Sequence, residues 1–342
     1  MSYNVLDIFS GAGGLMLGFE QEGYNIVLST DIDEDCEKVH KVNRPNKLYI
    51  RSDIYDLTNE KLHELLGENK IDVLIGGPPC QGFSTIGARA SSDPDKRKKH
   101  DPRNDLFREY IRILEYVNPK IFLFENVKGI KTRDHGRIFE EIKKTFAKTN
   151  YKFQCITLNA ADYGVPQIRE RVFLFGTRLD CDFEAPKPTH GEGLKNYTTV
   201  LDAIGDLADR GDDPSFNHVA LNHGEINIRR YKMIPEGGRM PEDDLPPELY
   251  RKNFGNTFKR LDRNKPSLTM VPGHNAFPIH PWLNRSLTVR EAARIQMFPD
   301  NYIFQGNRQK QCMQVGNAVP IGLASAWAKK IKEVLDENEG KD

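Results

Sequence analysis

The stretch Val5-Leu-Asp-Ile-Phe-Ser-Gly-Ala-Gly-Gly-Leu15 decides the architecture of this 342-residue chain. Residues 5–9 form an apolar run of strand length, and Gly11, Gly13 and Gly14 interrupt it before a helical pattern begins. A strand that passes through a glycine turn into a helix opens a parallel α/β unit, whose ligands sit beyond the carboxyl ends of the strands. The glycines would let backbone approach a ligand at a positive helix end. Outward from this unit the alternation continues. Residues 26–29, 47–50, 71–75 and 121–124 read as strands, and 34–42 and 106–117 as helices. Residues 151–158 and 171–177 read as two further strands with no helix between them, which implies an antiparallel closing edge. The fold class expected is α/β: a doubly wound, mostly parallel sheet with a second, smaller, loop-rich lobe.

That lobe begins where the pattern breaks into Pro-, Gly-, His- and Asn-rich sequence. We place it at 181–283, with a hinge over 284–313 and a main domain made of 1–180 plus 314–342. Ser286 and Thr288 are candidate caps for a helix reaching Met297. A last helix from about Val319 to about Leu335 is expected to fold back onto the main domain.

With 38% hydrophobic and 29% charged residues, the composition reads as a globular protein. No apolar run approaches a membrane span, and the N-terminus enters a strand directly, without the features of a signal peptide. Five scattered cysteines, Cys36, Cys80, Cys155, Cys181 and Cys312, contain no Cys-x-x-Cys pair, so a reduced cytoplasmic protein without a metal site is expected. The net charge of zero hides local basic sequence. Lys96, Arg97, Lys98 and Lys99 are consecutive, and six Lys or Arg stand against Asp262 alone between Arg251 and His280.

Chemistry-bearing residues collect at the predicted strand ends. Asp31 ends the second strand, where a carboxylate commonly holds ribose hydroxyls, and Asp53 after the third could take an adenine amine; either also suits a helix or turn cap. Met16 stands where a dinucleotide-binding Gly-x-Gly-x-x-Gly needs its last glycine, which counts against a nicotinamide cofactor. Cys80 follows Gly76-Gly-Pro-Pro79 in a constrained turn that core packing does not explain, although a single cysteine is also an ordinary core residue. Glu125 ends the fifth strand, as a site carboxylate or a cap. Arg169 and Arg171, two apart, project from one face, toward an anion or toward water.

Taken in order, Phe9-Ser-Gly-Ala-Gly-Gly14, Pro78-Pro-Cys-Gln-Gly-Phe-Ser84, Glu125-Asn-Val127, Gln167-Ile-Arg-Glu-Arg171, Arg290-Glu-Ala-Ala-Arg294 and Gly316-Asn317 resemble the signature blocks of the DNA cytosine-5 methyltransferases. The resemblance covers about 180 N-terminal residues and the segment from Leu287 onward. It implies a Rossmann-like domain that binds S-adenosylmethionine and releases S-adenosylhomocysteine, with no metal. Phe9, Gly11, Ala12, Gly13, Gly14 and Asp31 would line the cofactor pocket, together with Ile32, Asp53, Ile54, Pro78, Leu106 and Asn317. The usual family residue at 31 is glutamate, and Asp31 departs from it conservatively.

The same resemblance makes Cys80 the nucleophile on carbon 6 of a cytosine, Glu125 the partner of N3, and Arg171 with Arg169 the holders of O2. The partner would be duplex DNA with the target base rotated out of the stack. Residues 87–104, carrying Lys96–Lys99 and Arg103, would form a loop closing over DNA, and 181–283 the target-recognition domain. A monomeric modification enzyme, with any cognate restriction endonuclease on a separate chain, is the expected setting. Rival expectations are a tRNA cytosine-5 methyltransferase, which should carry a Cys-Phe-Thr signature absent here, and an inactive DNA-binding regulator, in which Cys80, Glu125 or Arg171 should have decayed.

Overall fold

Seven strands form a single sheet: β1 (Asn4–Ile8), β2 (Asn25–Asp31), β3 (Tyr49–Arg51), β4 (Val73–Gly76), β5 (Ile121–Val127), β6 (Lys152–Asn159) and β7 (Glu170–Thr177). The computed structural model describes residues 2–79, 105–241, 245–252, 254–272 and 276–339. The strand order is β3-β2-β1-β4-β5-β7-β6, parallel from β3 through β5, with β7 antiparallel to both β5 and β6. The antiparallel edge expected from sequence is therefore present. The order reverses between β1 and β4, and a crevice at such a switch point is where open α/β sheets bind ligands. β5 runs past its apolar stretch because Glu125 and Asn126 stay in register with Phe173 and Val172, which carries the carboxylate to the carboxyl edge.

Helices α1 (Gly14–Gln21) and α2 (Glu34–Asn43) follow β1 and β2, and α3 (Asn59–Leu66) precedes β4. α4 (Leu106–Val117) and α5 (Arg137–Phe146) flank β5. On one face Leu6, Ile8, Leu74, Phe122 and Phe124 pack with Leu62, Ile113, Leu114, Ile142 and Phe146 of α3, α4 and α5. α3 and α5 were not legible in the sequence: each buries only two or three residues.

After β7 come the short α6 (Val200–Ile204), then α7 (Glu225–Met233), α8 (Val289–Ile295), α9 (Arg308–Asn317) and α10 (Ile321–Glu337). Thr288 caps α8 in a reciprocal capping box with Glu291. That helix stops two residues short of Met297, whose φ of 65° is left-handed. α10 returns to the main domain as expected. A β-carbon on Gly14 would lie 2.3 Å from the Val319 carbonyl oxygen, and one on Gly18 would lie 2.4 Å from Ala324, so α1 meets α10 along a glycine groove. Trp327 of α10 is fully buried, with its ring 5.2 Å from those of both Phe173 and Phe175.

A second core is much smaller: Tyr231, Ile234, Met240, Phe258 and Ile279. Composition starts the small lobe at 181, but Phe183, Val200 and Ile204 pack into the larger core. What holds the small core is Arg260, whose guanidinium donates to the carbonyls of Ile234 (2.8 Å), Tyr231 (2.7 Å), His280 (2.9 Å) and Leu283 (2.8 Å) and to Asn284 Oδ1 (2.8 Å).

One feature of the sheet runs against its apolar composition. Asp7, Ser29 and Tyr49 are register partners across β1, β2 and β3 and form a buried polar stripe below the glycine turn. Asp7 is 1% exposed, and among the described residues its Oδ2 and Ser29 Oγ have no hydrogen-bond partner. Burial drives the Asp7 carboxyl well above the usual range, with Arg44 only partly opposing it, so the folded chain holds the proton. A carboxyl protonated when folded and ionised when unfolded loses stability as pH rises from the unfolded toward the folded value. Asp7→Asn should abolish this contribution. Denaturation midpoints measured from pH 5 to 8 should show the variant gaining on the native chain as pH rises; a constant difference would mean that Asp7 is ionised in the fold.

Candidate active site

Glu125 and Arg171 form the centre of the site. They come from adjacent antiparallel strands, with Arg171 opposite Val127 and Glu125 opposite Phe173. Arg171 Nε lies 2.8 Å from Glu125 Oε1, and its Nη1 donates to the Glu170 carbonyl. Both side chains are nearly buried, Glu125 being 9% exposed. Burial raises the Glu125 carboxyl above the ordinary range, against the pull of Arg171 and then Arg169. Burial likewise lowers Arg171, against the pull of Glu125. The result is a carboxyl poised to hold a proton beside a fixed cationic fork.

The loop after β4 meets this pair. A β-carbon on Gly77 would lie 2.7 Å from Glu125 Oε2, so only glycine leaves room for the carboxylate. Asn126 Nδ2 donates to the Pro78 carbonyl at 3.3 Å, and Asn126 Oδ1 accepts from Val127 N. Cys80 follows two residues after Pro78 and lies outside the described residues, as do Lys96, Arg97, Lys98, Lys99 and Arg103.

Arg169 has a different task from Arg171. It is 1% exposed, and its guanidinium donates to the carbonyls of Met270 (2.9 Å) and Gly316 (2.6 Å). Sequence reasoning set the two arginines side by side against one substrate oxygen. The geometry instead commits the terminal nitrogens of Arg169 to backbone. Gln167 completes the seam: its Oε1 accepts from Met270 N at 3.1 Å, while Ile168 N donates to Ser267 O and Thr269 Oγ1 to Ile168 O. The pattern Gln-x-Arg at 167–169 was in view, but its partners are about 100 and 147 residues away, and spacing carries no trace of them.

The remaining predicted residues gather at the carboxyl ends of β1 to β4. Gly11 has φ +51° and open space where a β-carbon would stand, and its amide donates to Asp31 Oδ2 at 2.8 Å. Asp31 Oδ1 accepts from Asp33 N, and burial raises this carboxyl. Phe9 has a left-handed φ of 57°, and Ile32 is 64% exposed beside Asp31. Asp53 Oδ1 accepts from Tyr55 N and caps a short 3-10 turn. Leu106 opens α4, and Asn317 ends α9 with its side chain exposed.

Three of the predicted pocket residues are otherwise engaged. Gly14 is required by the α10 contact, Gly13 faces Met16 and Tyr302, and the Ile54 side chain lies in the core beneath α3. Ala12 is buried, and its carbonyl accepts from Tyr302 Oη. Sequence reasoning missed His40, whose Nε2 sits 3.0 Å from the Gly11 carbonyl and whose ring stacks on Tyr49. It also missed the Lys310 bridge from α9 to Asp33, at 3.1 Å.

Comparison with known proteins bears on this arrangement. Residues 3–333 match the family model for C-5 cytosine-specific DNA methylases. The type II methyltransferase M1.HphI of Haemophilus parahaemolyticus is 38% identical, over 99% of this chain and 89% of its own. M.DdeI of Desulfomicrobium norvegicum is 34% identical, over 96% and 88%. Among solved structures, a prophage-encoded E. coli chain described as a DNA modification methyltransferase aligns with TM-score 0.77 and 27% identity, covering 98% of this chain and 100% of that one. DNMT2 of Spodoptera frugiperda shares the fold with TM-score 0.65 at 19% identity, over 97% and 100%.

The two arginines should separate in their effects on stability. Arg169→Met leaves two buried carbonyls without donors and should cost about 2–5 kcal/mol in chemical denaturation. Arg171→Met should cost less than Arg169→Met, because Glu125 can take up a proton when its partner goes. Equal losses from the two substitutions would show that Arg169 is no more structural than Arg171.

Proposed function

The chain belongs to the C-5 cytosine-specific DNA methylases, and from that premise we propose that Glu125 and Arg171, with Cys80, form the machinery that methylates carbon 5 of a cytosine in a specific short duplex sequence. The observation that carries this reading is the buried Arg171–Glu125 pair at 2.8 Å, set against the loop that leads to Cys80. Carbon 5 of cytosine is a poor nucleophile until a nucleophile adds at carbon 6. The Cys80 thiolate forms that bond. Glu125 gives its proton to N3 and absorbs the displaced electron pair, and Arg171 donates to O2. S-adenosylmethionine, when bound, supplies an electrophilic methyl group. Once carbon 5 is methylated, a water molecule takes its proton, the ring double bond re-forms and Cys80 leaves as thiolate, and N3 returns its proton to Glu125.

The residues at the ends of β1, β2 and β3 fit S-adenosylmethionine. Asp31 is a buried acceptor suited to ribose hydroxyls, Ile32 is an exposed apolar surface suited to cover one face of an adenine, and Asp53 keeps Oδ2 for an amine donor. Gly11 leaves space for the chain of the cofactor. Arg169 positions the strand that carries Arg171 and touches no reacting atom. The names of the type II relatives support a role as the modification enzyme of a restriction-modification system.

Bisulfite sequencing of duplex DNA incubated with the protein and S-adenosylmethionine should show protected cytosines in one short motif, and Cys80→Ala should abolish them. Transfer to tRNA with none to DNA would overturn the partner. In the native enzyme, activity should fall at high pH as Glu125, whose carboxyl burial raises, ionises. Glu125→Gln should lower kcat at least about 100-fold and lose the alkaline fall. A variant that keeps that fall would remove Glu125 from the role of acid.

A further inference from the structure

Two buried side chains hold the glycine turn after β1 from beneath. His40 of α2 places its Nε2 3.0 Å from the Gly11 carbonyl oxygen. A carbonyl oxygen only accepts, so Nε2 carries the ring proton and donates it. Tyr302 donates its hydroxyl to the next carbonyl, that of Ala12, at 2.9 Å. Both side chains also converge on Gly13, where a β-carbon would lie 3.0 Å from Tyr302 Oη and 3.3 Å from His40 Cε1.

The two holds are linked. Asn43, three residues beyond His40 in α2, exchanges two hydrogen bonds with Ile303: its Nδ2 donates to the Ile303 carbonyl at 2.8 Å, and its Oδ1 accepts from Ile303 N at 2.7 Å. The helix bearing His40 and the segment bearing Tyr302 are thereby fastened together under the turn. The His40 ring stacks on Tyr49 of β3 with centroids 4.3 Å apart, which fixes the plane in which Nε2 points. Burial lowers the His40 ring to about 3, against the Gly11 hydrogen bond and with the charge of Arg44, so the ring is a neutral donor at neutral pH.

Peptide geometry carries this hold to the other side of the turn. In a trans peptide the N–H points opposite to the carbonyl, so drawing the Gly11 carbonyl down to His40 turns the Ala12 N–H away from α2. The preceding peptide is fixed as well, because Gly11 N donates to Asp31 Oδ2 at 2.8 Å. Gly11 and Gly13 have left-handed φ values of 51° and 84°, and two glycines so close together give a turn many alternatives when it is unheld. An apolar side chain could fill the space beneath, but it would leave both carbonyls without donors. A fixed amide beside a bare glycine suits S-adenosylmethionine, whose amino-acid end brings a carboxylate on an extended chain.

We propose that His40 and Tyr302 are positioning residues for S-adenosylmethionine, setting the Gly11–Ala12–Gly13 turn from beneath without touching the cofactor themselves. The assignment rests on the methylase reading above and adds to it what holds the cofactor turn ready.

The test compares full-length His40→Leu, His40→Gln and Tyr302→Phe with the native enzyme. Leucine removes the donor, whereas glutamine brings an amide donor to the reach of Nε2 but has no ring to stack on Tyr49. The readouts are kcat, the KM for S-adenosylmethionine, the KM for duplex DNA, and the Kd for S-adenosylhomocysteine by calorimetry without DNA. His40→Leu and Tyr302→Phe should each raise the KM and Kd of the cofactor about 5- to 10-fold, the effect of one hydrogen bond, while the KM for DNA moves less than about 2-fold. The fall in kcat should be smaller than the rise in cofactor KM. His40→Gln should recover most of the loss. A native enzyme that neither binds S-adenosylhomocysteine nor transfers a methyl group would remove the methylase reading and this proposal with it. A native enzyme that does both, beside variants of unchanged cofactor constants, would overturn this proposal alone. Equal losses in His40→Leu and His40→Gln would show that His40 serves by stacking and not by its hydrogen bond, and would overturn its role. Tyr302→Phe loses a single hydroxyl and keeps the ring, so it decides even where His40→Leu fails to fold: native cofactor constants there would overturn the hold on Ala12.

Discussion

Arg169 is a buried cation that among the described residues makes no carboxylate hydrogen bond, and it ties the entry of β7 to the segments at Met270 and Gly316. Its terminal nitrogens reach the carbonyls of Met270 and Gly316, while Glu125 contributes only through its field. Desolvating a guanidinium is costly, and carbonyl dipoles offset that cost only when they are aimed at it. The arrangement is therefore exacting about geometry: three segments distant in sequence must arrive together or the charge is left bare. One is the entry to β7, one the exit from the small lobe, and one the end of α9 beside Asn317.

The main sheet was legible in the sequence because burial on both faces leaves continuous apolar runs. Residues 121–124 and 171–177 have no other sensible reading, and their lack of a crossover helix gave the antiparallel edge. What failed to show depends on partners far along the chain. Nothing in Gly14-Leu-Met-Leu-Gly18 announces that its glycines serve α10, more than 300 residues later, rather than a ligand. α9 escaped notice because Arg308-Gln-Lys-Gln-Cys312 has little apolar periodicity; its position is set by Lys310 on Asp33 and Gln296 on the Val315 carbonyl. In the site, the types of Glu125 and Arg171 were readable from their motifs, whereas the different tasks of Arg169 and Arg171 required knowing where each guanidinium ends.

Arginines that must stay put are buried on carbonyls, whereas Arg171 is held by the Glu125 carboxylate. Arg169, Arg260 and Arg290 belong to the first class. Arg290 donates to the carbonyls of Phe216, Pro299 and Tyr302 and lies over the Phe216 ring. A guanidinium satisfied by carbonyls stays a fixed positive centre that no neighbouring acid has neutralised, whereas one paired with a carboxylate contributes little field to its surroundings.

The small lobe shows what this choice allows. Among the described residues its core cluster has five buried apolar residues, too few to fix a loop-rich segment by burial alone. Arg260 supplies the missing constraint by fastening Tyr231, Ile234, His280 and Leu283 from the inside. A lobe organised around an internal clamp can change its outward residues without losing its shape. A lobe organised around a large apolar core would have to keep more of them inward.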